Sequence, residues 1–331
     1  MSIDVKRNAS PIMVVIAFAT VYLVWGSTYF FIQRAVATIP PFILGAVRFL
    51  IAGSLLLGWC AIKREKIFNW SVIKPAAISG LLMLFVGNGA VIWAELSLPS
   101  SLVAVLVSSA PLWFVILDKP KWKENLTSRA TVIGLIVGFI GVILLFSEQT
   151  GKALRTGNAY QVIGLIVLII GAMSWAGGSL YSKYKSTSKS ATVNSAWQML
   201  AAGVAFIPSS LLNNEWSTFN VHAVTTSSWL SLLYLITMGS LAGFSAYVWL
   251  LQVRPATQVS TYAYVNPVVA VLLGVLFAGE HMSALQITGL AVILLSVLLI
   301  NLAKYRGQKA DKDAAAVKNV LVNTARKKVV I

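Results

Sequence analysis

Residues 87–111, GNGAVIWAELSLPSSLVAVLVSSAP, and residues 243–267, GFSAYVWLLQVRPATQVSTYAYVNP, carry the same punctuation at an offset of 156. Gly87, Ala90, Trp93, Pro99, Val103 and Pro111 fall on Gly243, Ala246, Trp249, Pro255, Val259 and Pro267. Matched Trp and Pro at one fixed offset mark an internal repeat. Elsewhere the offset drifts by a few residues. Gly53 in FLIAG matches Gly203 in MLAAG, Trp25-Gly26-Ser27 matches Trp175 with Gly178-Ser179, and Gly134 matches Gly289. The chain therefore reads as two halves, 12–150 and 151–303, between a short start, 1–11, and a tail, 304–331.

What the halves are made of follows from composition. The 331 residues are 58% hydrophobic and 11% charged, with a mean hydropathy of +0.81. A soluble domain carries about 25% charged residues and has no interior large enough for this much apolar surface. Disorder is excluded by the same hydropathy. A spanning helix needs about 20 mostly apolar residues. Ten stretches qualify: 12–33, 42–62, 75–94, 100–117, 130–146, 160–182, 192–212, 229–251, 256–278 and 284–302. Five spans per half is an odd number, so the second half enters the membrane from the opposite side. The expectation is an all-α polytopic membrane protein, ten transmembrane helices arranged as two five-helix inverted-topology repeats. In such repeats a substrate site lies near the midplane between the halves.

Charge orients the bundle. The net charge is +16. With the N-terminus in the cytoplasm, 22 of the 26 Lys and Arg fall on inner segments and only Arg34, Lys152 and Arg155 on outer ones. That bias is the positive-inside signal. It accounts for the net charge without nucleic acid and puts both termini in the cytoplasm. The first apolar run is too long for a signal-peptide core of about 7–15 residues, so it reads as a retained span. The tail carries eight basic residues and reads as a topology anchor or an anionic-lipid patch.

The opening LVWGSTYFFIQRAV (23–36) and PPFILGAVRFLIAG (40–53), with YAYVNPVVAVLLGVLFAGE (262–280), resemble the EamA half of drug/metabolite transporters. The resemblance covers about residues 12–302 and is closest to the YedA-like branch of bacterial inner-membrane members. It implies a ten-helix carrier, often an exporter of amino acids and related metabolites. A Gly-Glu pair often follows the fourth span of each half in that family. Here the second half has Gly279-Glu280, but the first has Asp118-Lys119-Pro120.

Few residues could carry chemistry. A Walker A loop, paired cysteines, a His-x-x-x-His pattern and a Gly-x-Ser-x-Gly elbow are all missing from the sequence. No cofactor or metal is expected, and Cys60 reads as an apolar packing residue. His222 and His281 fall in outer loops. Arg48 is the one basic residue well inside a span, roughly 10 Å from its outer end. It needs a cavity or a partner; Glu95 and Glu280 are the candidates for an ion pair or for coupling, and a substrate carboxylate is the alternative. Pro111 and Pro267 should kink their spans and free carbonyls near mid-membrane. Polar and aromatic residues cluster in six spans: Trp25, Ser27, Thr28 and Tyr29; Asn88 and Trp93; Ser174, Trp175 and Ser179; Trp197 and Gln198; Ser245 and Tyr247; Tyr262, Tyr264 and Asn266. They are the expected substrate cavity, and Trp and Tyr offer rings with one hydrogen-bonding group. Spans five and ten are nearly pure aliphatic, with Gly134, Gly138 and Gly141, and read as faces for lipid or for a second copy. A secondary exporter of small metabolites fits best. An intramembrane enzyme, or a signalling or scaffold protein, is the alternative.

Overall fold

The computed structural model describes residues 9–96, 98, 103, 106–154, 159–188, 190–278, 283–300 and 302. Its principal helices are α1 Pro11–Val36, α2 Pro41–Ile62, α3 Trp70–Ala94, α4 Ala110–Leu117, α5 Arg129–Leu154, α6 Ala159–Lys185, α7 Ala191–Leu212, α8 Thr226–Val253, α9 Tyr262–Ala278 and α10 Ala284–Ile300. Starts are encoded locally. Pro11 and Pro41 open α1 and α2, where a missing N–H costs nothing. The side chains of Asn69, Ser190 and Thr225 accept from the backbone N–H of Ser71, Val193 and Ser228, as N-caps do.

Among the described residues, six helices are long and apolar enough to cross a membrane: α1, α2, α3, α6, α7 and α8. A seventh is added if Lys119–Thr127 and Arg129–Leu145, bent by 92°, form one span. The protein is thus a multi-pass membrane protein. The ten expected stretches are not all continuous helices. Span four is described only at 103 and from 106; 103, 106 and 107 are helical, 108 and 109 turn, and α4 begins at Ala110. Span nine breaks after Val259 and resumes at Tyr262. There Ser260 and Thr261 turn their hydroxyls onto the Thr257 and Gln258 carbonyls, the local competition that interrupts helices.

These breaks change the reading of the two prolines. Pro111 does not kink a helix; it is the second residue of α4, where it opens one. Pro267 does lie inside α9. Its missing N–H orphans the Ala263 carbonyl four residues back, and the Ser108 hydroxyl donates to that oxygen at 2.8 Å. The freed carbonyl therefore faces protein rather than water.

Close contacts between the halves come in reciprocal pairs. A Cβ on Gly53 would lie 2.8 Å from Leu200 Cγ, and one on Gly203 2.8 Å from Leu50 Cγ; this seats α2 against α7. Gly87 takes the Trp175 side chain and Gly243 takes Trp25. Gly134 takes Ile300 while Gly289 takes the Leu145 backbone. Each contact is matched by its counterpart at an offset of 150 to 156. Spans five and ten therefore spend their glycine edges on each other and on Tyr264, within one chain. Their outer faces, including Ile133, Ile136, Leu294 and Leu298, are exposed.

Two departures from α-helix went unread in the sequence. Leu81–Asn88 in α3 and Leu235–Phe244 in α8 are π-helical. Their last residues, Asn88 and Phe244, stand at the repeat offset of 156. Such segments are rare and concentrate at functional sites.

Candidate functional site

Both π segments border one cavity, which reaches from α1, α2, α3 and α4 across to α6, α8 and α9. It leaves about 70 Å³ in which the centre of a water molecule fits, several times the roughly 10–15 Å³ that one water needs. Of the residues nominated from sequence, it brings together Trp25, Tyr29, Arg48, Asn88, Trp175, Tyr262 and Asn266. Leu84, Val91, Ile32 and Leu168 add apolar wall.

One end is closed by aromatic rings. Trp25 lies at centroid distances of 4.9 Å from Tyr247, 5.0 Å from Tyr262 and 5.5 Å from Trp175. Their tilted and edge-on arrangement is the favoured one for ring quadrupoles. Polar edges are tied down as well. Trp25 Nε1 donates to the Gly239 carbonyl (3.2 Å) and Trp175 Nε1 to the Tyr247 hydroxyl (3.1 Å). The Tyr247 and Ser179 hydroxyls are 2.6 Å apart, and Ser179 donates to the Trp175 carbonyl. Rings and hydroxyls form a closed relay, so this layer is rigid.

The wall above it is not tied down. Arg48 is 4% exposed. Its Nε donates to Ser240 Oγ at 2.9 Å, and its guanidinium carbon lies 4.9 Å from the Phe49 ring centroid. Nη1 has no hydrogen-bond partner, and no carboxylate lies within ion-pair distance among the described residues. The amide oxygens of Asn88 and Asn266 are buried and likewise without partner. Buried polar atoms are normally satisfied, and an unmade bond to a charged group is the most costly kind. The three residues that carry these atoms all line the cavity.

Other nominees lie elsewhere. The Ser27 hydroxyl is held by the Val24 carbonyl and the Tyr234 hydroxyl. Tyr247 belongs to the aromatic layer and Ser179 bonds its hydroxyl, but neither lines the cavity. Gln198 Nε2 donates to Ser79 and Ser182, knitting α7 to α3 and α6. Trp197 donates to the Ile67 carbonyl near the start of α3. Trp93 is half-buried and away from the cavity. Tyr264 points the opposite way from Tyr262 and donates to the Leu135 carbonyl of α5. All seven of these side chains were expected to face the cavity, and none lines it; for Ser27, Ser179, Trp197, Tyr247 and Tyr264 a hydrogen-bond partner in the packing takes the polar group. Glu95 is buried with both oxygens unpartnered, so no Arg48–Glu95 ion pair forms. Glu280 and His281 lie outside the described residues, as do the tail 304–331 and Pro99. His222 is exposed.

Asp118, standing where the family's Gly-Glu pair is lacking, accepts from the Tyr184 hydroxyl at 2.6 Å, and burial pushes its carboxyl up. Glu215 accepts from the Phe42 and Ile43 N–H groups and so ties the α7–α8 connection to the start of α2; burial pushes its carboxyl up against those two bonds. Thr28, from the first of the sequence clusters, also lines the cavity. Phe49, Gly239, Ser240 and Phe244 belong to the site without a sequence signal; nothing in the sequence marks a π segment or the position of a serine opposite Arg48.

The chain matches the model of the EamA-like transporter family twice, over residues 12–147 and 162–302. It is 38% identical over 291 residues to a protein of Escherichia coli (strain K12) described as an uncharacterized inner membrane transporter, YedA, covering 87% of this chain and 90% of that one. A transporter of Bacillus subtilis (strain 168), YvbV, is 26% identical over 88% of this chain and 92% of its own. A "probable amino-acid metabolite efflux pump" of Escherichia coli (strain K12) is 23% identical over 88% of this chain and 95% of its own. A solved crystal structure shares the fold, with a TM-score of 0.72 at 20% identity over 90% of this chain and 99% of that one.

Proposed function

This chain belongs to the EamA-like transporter family, and from that premise we propose that it is a secondary carrier exporting small amphipathic or zwitterionic metabolites across a bacterial inner membrane by alternating access. The observation that carries the reading is the polar lining of the cavity: Arg48, Asn88 and Asn266, each with a buried unpaired atom (Nη1, Oδ1 and Oδ1), beside the rings of Trp25, Tyr29 and Tyr262. A carboxylate answers the guanidinium. An ammonium answers two amide oxygens and lies over a ring, worth about 0.5–2 kcal/mol. The apolar wall accommodates the rest. A polyanion or a metal ion finds no complement there. The names of the relatives, one an inner membrane transporter and one a probable amino-acid metabolite efflux pump, support the membrane and the substrate class.

The bundle in this reading has ten spans in two inverted halves, with both termini in the cytoplasm. The reciprocal glycine contacts support the two-fold relation, and the Lys and Arg bias supports the orientation. On that orientation Ile32, Arg48 and Val91 lie in the outer half of the membrane and the aromatic layer lies beneath them.

Purified protein in liposomes, screened for uptake of labelled amino acids with and without a proton gradient, tests the carrier. Saturable uptake abolished by Arg48→Ala is the expected result; no uptake of any member of the panel overturns the substrate class. Reporter fusions after Phe68, Lys121, Lys185 and Lys304 should read cytoplasm, and those near Thr38, Gly151 and Thr218 the outside. A cytoplasmic signal at Gly151 would break the five-plus-five topology.

A further inference from the structure

Arg48 belongs to the first half of the chain, but among the described residues nothing in that half fixes the direction of its guanidinium through a hydrogen bond. The one bond it makes among the described residues runs to Ser240 Oγ, 192 residues away in the π segment of α8. Next to that serine, Gly239 leaves a notch: a Cβ there would come within 3.0 Å of Arg48 Nη2 and 3.4 Å of Thr28 Cγ2. The guanidinium therefore lies against the α8 backbone, with Nε occupied, one face toward the Phe49 ring and Nη1 buried and unpartnered, in a side chain that lines the cavity.

We infer that Ser240, seated beside Gly239, is the positioning residue that turns Arg48 toward the substrate carboxylate. The inference rests on the carrier reading above. Arg has four rotatable side-chain bonds and loses much rotamer freedom when held. A carboxylate meeting a prepaid geometry binds more tightly than one that must collect a mobile side chain. Ser240 satisfies Nε, the N–H least able to reach a ligand in the cavity, and leaves the outer fork free. Because anchor and holder belong to opposite halves, any movement of α8 against α2 breaks the bond and unseats the anchor. Release of substrate is thereby coupled to the change of conformation.

The test uses full-length protein in liposomes, with a labelled mixture of the twenty L-amino acids as probe. A second readout needs no substrate: the Arg48 side-chain Nε–H resonance in protein labelled with ¹⁵N-arginine, identified by its loss in Arg48→Lys. Ser240→Ala should raise the half-saturation concentration about tenfold, equivalent to about 1.4 kcal/mol, with the maximal rate within about twofold. The Nε–H proton should exchange with water faster. Ser240→Thr, which keeps the hydroxyl, should restore both readouts, and Gly239→Ala should weaken half-saturation as Ser240→Ala does by pushing the guanidinium out of its notch. An unchanged half-saturation and Nε–H signal in Ser240→Ala, with uptake lost in Arg48→Gln, overturns the assignment but leaves the anchor standing. Equal loss of maximal rate in Ser240→Ala and Ser240→Thr makes the serine structural and overturns it too. Full uptake in Arg48→Gln, or none in the unaltered protein, removes the carrier reading itself and the assignment with it.

Discussion

Tyr262 and Tyr264 stand two residues apart on α9 and serve two different neighbourhoods. Tyr262 faces the cavity, 5.0 Å from the Trp25 ring. Tyr264 enters a compact cluster with Leu145, Ile293 and Ile300 from α5 and α10 and satisfies its hydroxyl on a backbone carbonyl. Around Tyr262, a guanidinium nitrogen and two amide oxygens are left open. Around Tyr264, glycines are filled by aliphatic side chains and the tyrosine's polar edge is bonded. Residue type is therefore a poor guide to role in this membrane bundle. Between these two tyrosines the difference is whether the neighbouring polar atoms are satisfied.

The largest effect that could break this contrast lies at Arg48. Arg48→Gln removes the buried charge and should cut uptake at low substrate by about a hundredfold, in line with the upper range of hydrogen bonds to charged groups, about 1.5–3 kcal/mol. The thermal midpoint should change little, since among the described residues the charge has no ion pair to lose, only the one hydrogen bond to Ser240. A large fall in stability with intact transport would make Arg48 a packing residue, and recovery in a charge-swapped pair with Glu95 would make it a structural ion pair.

Gly138 sharpens the other side. A Cβ there would lie 2.5 Å from Ser296 Oγ and 2.7 Å from the Tyr264 ring. Gly138→Val should destabilise the fold by about 1–3 kcal/mol through overpacking, seen as a lower thermal midpoint in detergent. Half-saturation of the folded fraction should stay the same. A shift in substrate preference instead would mean that the α5–α10 cluster reaches the transport path.

The same chemical change at the two tyrosines gives a direct comparison. Tyr264→Phe deletes the hydroxyl that donates to Leu135 and should cost about 1 kcal/mol of stability with no kinetic change. Tyr262→Phe should alter half-saturation by a few-fold and leave stability alone. Reversed results would exchange the roles assigned to the two clusters.

Much of this was legible in the sequence because periodicity and charge bias are coarse signals. The halves, the membrane class, the exceptional place of Arg48 and fewer than half of the cavity residues follow from run lengths, a fixed offset, polar and aromatic clusters and one intramembrane charge. What stayed hidden depends on rotation and depth. A tyrosine at 262 and one at 264 look alike until the helix axis is placed. Gly134 and Gly138 read as an external face because small-residue spacing marks close helix contact but not with which helix. The breaks before Pro111 and at Ser260-Thr261 depend on hydroxyls folding back onto the backbone, an outcome that run length alone does not register. Ser240 is one serine among many until α8 lies beside α2.

The smallest expected effect is on α10, where neighbouring residues answer differently. Ile293 is fully buried and packs on Gly141 of α5, whereas Leu294 is 48% exposed. Ile293→Ala removes packed methylenes and should cost about 2–5 kcal/mol. Leu294→Ala removes a similar volume from a face turned outward, where lipid tails close over the gap, and surface changes of this kind stay within about 0.5 kcal/mol. Transport rate and half-saturation should match the unaltered protein. If Leu294→Ala lowers stability as much as Ile293→Ala, its face is covered by protein, and dilution of the purified carrier into excess detergent should then dissociate a dimer. If it stays silent, the exposed row of α10 faces lipid, and the helix contributes to the carrier only through the edge it presents to α5.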